Sequence, residues 1–465
     1  MTEIGAQLSA AGMSDREALA KERLFTRCVE ALAAGKPAPR GSSPRASAGG
    51  SGTAVFFVPG RIEVLGKHTD YAGGRSLLSA VERGFVAVAR HRTDTIVRVI
   101  DAVRGETREL ALDPQLEVHR ADWSAYIAAA VRRIARNFPR ARRGADIAIA
   151  SDLPPASGMS SSSALSTAVF LALDAVNALS ADPGYREAID SREALAGYLG
   201  TIENGQSFGA LAGDLGVGTF GGSEDHTAIL CCRSGFVSRY SFAPVRAEGE
   251  IPFPPAHTFV VAHSGIAAEK GSRAQALYNG LSLAVQRILT LWNAAAHRAD
   301  RSLAGAVESA PDSPDRIRAL LRDTVSSDFP AQRLIDRFDQ FLTESYDIIP
   351  RAADALARGD LAVLGPLVDR SQHGAEALLR NQIPETIALA RLARRDGSLA
   401  ASAFGAGFGG SVWALIDAAD AEAFVARWQD AYRCAFPEAA ARAEFIVTRP
   451  GPGAMSLRPN MDPFG

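Results

Sequence analysis

Four short stretches hold the side chains that could do chemistry in this chain. The first, residues 59–74, reads PGRIEVLGKHTDYAGG and gathers Arg61, Lys67, His68 and Asp70 in an apolar, glycine-bounded context. So many polar groups beside a strand-like run are costly to fold unless a ligand meets them, which points to recognition of a polar small molecule. The second, residues 154–165, reads PPASGMSSSSAL. Prolines and Gly158 make a turn, and Ser160, Ser161, Ser162 and Ser163 then open an apolar helix. Free N–H groups and a partial positive charge at a helix N-terminus attract an anion, and the hydroxyls add donors for phosphate or an oxygen for Mg²⁺. A serine-rich cap on an ordinary helix is the alternative. There is no GxxxxGK[ST], so this is not a Walker loop.

The third stretch, SAFGAGFGGSVWALI, places Gly405, Gly407, Gly409 and Gly410 before an apolar run that reads as a strand. A dinucleotide fingerprint would open a helix there. The glycines therefore read as a turn between two strands, or as backbone that lies close against a ligand. The fourth, GTFGGSEDHTAIL, sets Asp225 after a glycine turn and before what reads as a buried strand, a carboxylate displayed at a strand mouth. Glu203 closes a helical segment shortly before it.

The elements that must position these groups follow from periodicity. Residues 14–34 read as a helix capped by Ser14, with apolar residues at helical spacing. Strands are expected at 55–58, 62–65, 84–89 and 96–100, several of them antiparallel neighbours because their connections are short. Helices at 123–138, 163–179 and 192–203 enclose a strand at 146–150, and 220–230 reads as another strand. The PFPP sequence at 252–255 marks a domain boundary. Beyond it come a strand at 258–262, helices at 273–295, 331–358 and 360–380, a strand pair at 399–404 and 411–416, a helix at 420–434 and a strand at 445–448. Residues 35–52 (GKPAPRGSSPRASAGGSG) lack core-forming side chains and read as a mobile arm. Strands and helices come in mixed order, so the fold class is α+β rather than a doubly wound sheet.

The 465 residues exceed one ordinary core and suggest two domains. With 47% hydrophobic and 22% charged residues the composition is that of a soluble globular protein, and a formal charge of -2 gives no reason to expect nucleic acid. No apolar run is long enough to cross a membrane, and the N-terminus lacks a basic-then-apolar leader. Cys28, Cys231, Cys232 and Cys434 lack metal-ligand spacing and suit a reducing compartment, so a cytoplasmic enzyme is expected. Lysine occurs only at Lys21, Lys36, Lys67 and Lys270, and arginine supplies the other cations.

Taken in order, the stretches resemble the GHMP kinase superfamily and, within it, the galactokinase family. Residues 60–71 (GRIEVLGKHTDY) look like the family segment GRVNLIGEHTDY. Residues 154–164 look like its phosphate loop PxxxGLSSSA, with Met159 for the leucine and one extra serine. GAGFGG is matched letter for letter at 405–410. The resemblance runs from about residue 52 to Ala454.

It implies a two-domain GHMP kinase fold. Residues 1–51 form an N-terminal helix and arm. The N-terminal domain (52–253) has a mixed sheet with a left-handed β-α-β phosphate-loop unit, and the C-terminal domain (254–465) is an α/β sandwich. It also implies ATP-dependent phosphorylation of a sugar hydroxyl, usually the anomeric one. Asp225 would act as base or orient the hydroxyl, with Arg61 beside it. The loop from Gly158 through Met159 to Ser163 would cradle the phosphates, and Ser162 and Glu203 would hold Mg²⁺. His68, Asp70, Gly222 and Tyr278 would bind the sugar. The Glu203–Asp225 separation exceeds the family's, so residues 205–216 read as an inserted loop. A monomer or weak homodimer is expected.

The sequence departs from the family where Lys67 replaces a glutamate that contacts the sugar C6 hydroxyl, and where Glu63 replaces an asparagine or threonine. A lysine donates and favours an anion, so two readings stand. Either Lys67 binds a C6-altered sugar such as galacturonate, or it pairs with a protein carboxylate and galactose is used. Other acceptors (arabinose, fucose, a heptose) and a non-catalytic sugar sensor are further alternatives. The polar HTD triplet argues against an isoprenoid alcohol.

Overall fold

The computed structural model describes residues 2–34, 53–119, 123–267, 272–324 and 328–457. The arm expected at 35–52 lies outside these residues.

Two sheets organise the chain. In the first, β1 (Thr53–Leu65) and β2 (Arg75–His91) form a long antiparallel pair whose register shifts between Pro59 and Arg61 and again between Glu63 and Leu65. The two strands expected at 55–58 and 62–65 are thus one bent strand. Its shifts turn Arg61 and Glu63 towards the site. The sheet continues through β5 (Ala145–Ser151), β3 (Ile96–Asp101) and β4 (Glu106–Ala111); β6 (Phe236–Ser241) joins β2, and β7 (Arg246–Pro252) joins β6. Among the described residues only β3 and β5 pair in parallel, their crossover running through β4 and α3 (Ser124–Asn137). The second sheet has the order β11-β8-β10-β9, from Glu444–Thr448, His257–His263, Ser411–Asp417 and Ala400–Phe404. The short β12 (Met455–Ser456) then returns to the first sheet and pairs with Phe56 and Phe57 of β1.

Helices fill the space around both sheets. Before β1 stand α1 (Glu3–Ala10) and α2 (Asp15–Ala34). These pack on Val55, Phe57, Val86, Val88, Ala148 and Ala150 of the first sheet, and each large side chain sealed there contributes about 1.5–3 kcal/mol. The phosphate-loop serines do open a helix, α4 (Ser161–Asn177), followed by α5 (Pro183–Ala188), α6 (Arg192–Asn204) and α7 (Glu224–Cys231). The strand expected at 220–230 is therefore helix α7. A short apolar run does not by itself distinguish strand from helix, and the acidic pair after Ser223 is a helix-start signal that outweighs it. The second half adds α8 (Ser272–Ala296), α9 (Leu303–Val307), α10 (Ser313–Arg322), α11 (Ala331–Leu342) and α12 (Ile349–Ala357). It ends with α13 (Leu361–Gly374), α14 (Pro384–Arg395), α15 (Ala421–Ala435) and α16 (Pro437–Ala440). The helices expected at 331–358 and 360–380 are each continued or bridged by a π-helical segment, 343–348 and 375–379. No helix among the described residues is long and apolar enough to cross a membrane.

Candidate active site

The four stretches meet at one cavity. Its wall includes Arg61, His68, Asp70, Gly158, the serines 160–163, Glu203, Gly222, Asp225, Tyr278 and the glycine turn at 405–409. Three expected residues stand off it: Lys67, Met159 and Gly410. Met159 is buried in the core, and its carbonyl receives the Arg61 N–H. Glu63, Tyr71, Glu224 and His226 line the cavity as well and were missed.

At one end, β1 delivers Arg61 to Asp225. Nε lies 2.8 Å and Nη2 2.6 Å from the same oxygen, Oδ1, and Nη1 donates to the Gly158 carbonyl. Asp225 stands in the first turn of α7, so the expected strand mouth is a helix N-terminus. Burial works against the Arg61 charge, but Asp225, Glu224 and Glu63 raise its pKa above the ordinary value. The phosphate loop enters α4 through Ser160, whose backbone is left-handed (φ 59°). The Ser160 hydroxyl oxygen is buried with no partner. Ser163 Oγ donates to Glu203 Oε1 at 2.7 Å and lies 3.4 Å from Asp225 Oδ2, while Ser162 is half-buried on the cavity wall. His226 Nε2 stands 3.4 Å from Glu203 Oε1. Gly405 carries φ 78°, and a Cβ there would come within 3.0 Å of the Gly158 carbonyl, so only glycine lets the two loops touch.

At the other end, the segment 66–71 is gripped by the second half of the chain. His68 Nε2 contacts the Ala406 carbonyl and Nδ1 the Tyr71 hydroxyl, both at 3.0 Å. A carbonyl only accepts, so Nε2 carries the ring proton and Nδ1 accepts from Tyr71. Burial, then the neighbouring Arg337, lowers the His68 pKa to about 3, so the ring is neutral. Arg337 of α11 donates to the His68 carbonyl and Gln340 to the Lys67 carbonyl. Asp70 Oδ2 accepts the Glu224 N–H at 3.2 Å, and burial raises its pKa. A Cβ at Gly222 would collide with that carboxylate, and one at Gly221 with the Tyr278 hydroxyl. Buried acids ring this end. Glu224, bonded to the Ser76 hydroxyl, is raised well above its ordinary pKa by burial and then by Glu63 and Asp70. Glu63 is raised to about 7 by burial, with Lys67 and Arg61 pulling the other way.

Lys67 itself turns away. Its ammonium, 1% exposed, donates to Ser371 at 3.0 Å and Ser402 at 2.7 Å, and Ser371 donates onward to Glu344. Lys67, expected to touch the substrate, stands off the cavity wall, because two hydroxyls of the second half draw its ammonium behind it. The loop at 205–216 is pinned where Asp214 receives Arg132 and Arg133 of α3 at 3.0 and 3.2 Å.

Phosphates would find N–H groups and hydroxyls at one end, and a small polyol would find acceptors at the other. The oxygen-only set of Glu203, Asp225 and the serines suits a hard divalent cation. Comparison with known proteins defines the class. The GHMP kinase N-terminal domain matches residues 125–210, the GHMP kinase C-terminal domain matches 352–434, and the galactokinase galactose-binding signature matches 45–91. The structure of Lactococcus lactis galactokinase complexed with galactose superposes with a TM-score of 0.70 at 23% identity, covering 87% of this chain and 95% of that one. Methanococcus jannaschii mevalonate kinase superposes at 0.51, with 11% identity and coverage of 88% and 99%. The fold is thus that of a GHMP kinase, an ATP-using phosphotransferase.

Relatives narrow the class. A galactokinase of Chloroflexus aurantiacus is 31% identical over 394 residues, 82% of this chain and 88% of that one. One of Streptomyces coelicolor is 28% identical over 396 residues, 82% and 89% of the two chains. This chain belongs to the galactokinase family and is a sugar kinase.

Proposed function

We propose that this chain transfers the γ-phosphate of ATP to the anomeric hydroxyl of galactose. One observation carries the reading. The Arg61–Asp225 pair is bonded to the phosphate loop through Gly158 and Ser163 and shares one cavity with the His68–Asp70–Tyr278 wall, so an acceptor hydroxyl and a terminal phosphate could meet there. Phosphoryl transfer needs alignment and charge neutralisation more than covalent help. Asp225 orients the attacking hydroxyl and takes its proton, while Arg61 fixes that carboxylate and offsets charge on the transferring group. Ser160–Ser163 and the Gly158 backbone hold the phosphates. Asp70 accepts hydrogen bonds from sugar hydroxyls, His68 and Tyr278 shape the wall, and Gly222 keeps the space beside Asp70 open.

Mg²⁺ fits the oxygen donors present. Glu203 and Ser162 would hold it, with Ser163, already bonded to Glu203, behind them. When bound, the ion neutralises phosphate charge. The junction between β7 and β8, near residue 253, is the proposed boundary between the two domains. The Lys67 geometry gives no support to a C6 carboxylate on the sugar, because the ammonium is spent on Ser371 and Ser402. ATP consumption measured over a panel of monosaccharides, with Asp225→Asn as control, tests the proposal. Turnover on no sugar, or turnover that survives the control, would overturn it.

A further inference from the structure

Helix α2 contributes nothing to the cavity wall, yet it reaches the strand end from which the phosphate loop springs. We propose that Lys21 is a positioning residue for nucleotide binding, acting through Asp152. The inference rests on the kinase reading above and adds to it a part of the chain outside the matched family segments.

Lys21 is fully buried, with Nζ 2.6 Å from Asp152 Oδ2 and 3.0 Å from Glu17 Oε2. Asp152 directly follows β5. Its other carboxylate oxygen accepts the Gly84 N–H at 2.8 Å, and its own N–H donates to the Gly84 carbonyl at 3.3 Å. The residue is therefore held by β2 on one side and by α2 on the other. The next residue, Leu153, lies against Gly60, where a Cβ would come within 2.7 Å of Leu153 Cδ2 and 2.9 Å of the Met159 carbonyl. That carbonyl receives the Arg61 N–H at 3.2 Å. A displacement of Asp152 thus passes through Leu153 and Gly60 into both ends of the loop and into the residue that holds Asp225.

Docking of α2 does not need the ammonium. Ala18, Cys28 and Leu32 already seal it to the sheet. A buried ion pair adds little net stability compared with apolar groups of the same shape, so what it contributes here is geometry. In a chain that otherwise leans on arginine, a compact, fully buried ammonium at this spot fits the space that α2 leaves beside the Asp152 carboxylate.

The test compares wild type with Lys21→Met, Asp152→Asn and Lys21→Arg. It measures affinity for a fluorescent ATP analogue without sugar, KM for ATP and for galactose, and Tm. Lys21→Met and Asp152→Asn are each expected to weaken analogue binding and raise KM for ATP about tenfold, with KM for galactose within about twofold of wild type. A Lys21→Met/Asp152→Asn double variant should be no worse than either single, and Lys21→Arg should recover part of the loss. Unchanged nucleotide affinity in both single variants would overturn the proposal. So would a loss that falls equally on both substrates alongside a lowered Tm. If Lys21→Met does not fold, Asp152→Asn decides alone, because its partly exposed side chain tolerates the change. Wild-type protein that binds the analogue but phosphorylates no sugar would refute the kinase reading and leave this inference to the binding data.

Discussion

The two ends of the cavity are built on opposite plans. At the phosphate end, hydroxyls crowd a helix N-terminus and one of them, Ser160, is buried with no partner. At the sugar end, both ring nitrogens of His68 are bonded, the neighbouring carbonyls are held by Arg337 and Gln340, and Lys67 is tied to two serines. A buried polar atom left unpaired costs free energy, so the first end is completed by its ligand. The second has the ring and backbone groups of its 66–71 segment already bonded, although Glu63 Oε1 and Arg337 Nε are buried without partners, and that held wall can reject a sugar whose hydroxyls fall elsewhere.

The sharpest way to separate chemistry from both ends is Asp225→Asn. It should lower kcat by about 10³-fold while leaving the binding of sugar and ATP nearly intact. A loss that appears only in KM would move Asp225 into recognition. The sealed character of the sugar end is tested by acid. His68 titrates near 3 when folded and ordinarily at 6.5, so the folded state binds fewer protons between those values. Its contribution is present above pH 6.5 and fades as pH falls towards 3. The amount is about 5 kcal/mol. Denaturant unfolding of His68→Gln should show a flatter stability–pH profile over that window than wild type, and identical slopes would mean that the ring is not sealed.

Gly222→Ala probes the space beside Asp70. Crowding of about 1–3 kcal/mol should raise KM for the sugar roughly ten- to hundredfold with KM for ATP unmoved. An equal rise for both substrates would erase the division between the ends. The smallest effect belongs to Ser160→Ala. Losing one hydrogen bond to phosphate should raise KM for ATP about tenfold. Tm should hold or rise, since the hydroxyl has no protein partner to lose. A clear fall in Tm would contradict the contrast drawn above.

Much of this division was legible in the chain. The serines open an apolar helix and the glycines lie between two strands as expected, and Arg61, His68 and Asp70 face the cavity, though Lys67 between them does not. Local signals sufficed for these, because caps, turns and alternation act over a few residues. Helix α7 was misread because its apolar core is short, although Ser223 followed by Glu224 and Asp225 carries a helix-start pattern. That pattern would also have drawn Glu224 into the site. Lys67 could not be placed from sequence. Its partners Ser371 and Ser402 lie some three hundred positions away on α13 and β9, and nothing local announces them. Arg337 and Gln340, which hold the backbone of the same segment, were hidden for the same reason.

The short strand β12 bears on how the protein is made. It pairs Met455 and Ser456 with Phe57 and Phe56 of β1, the strand that also carries Arg61. During synthesis the β1 edge at Phe56 and Phe57 stays bare until Met455 and Ser456 have left the ribosome. An unpaired strand edge is a template for pairing with other chains, and partly made chains are the ones exposed to that hazard. β12 therefore acts as a latch on β1 at Phe56 and Phe57. A copy cut short before residue 455 would leave with its catalytic strand in place and its sheet edge open.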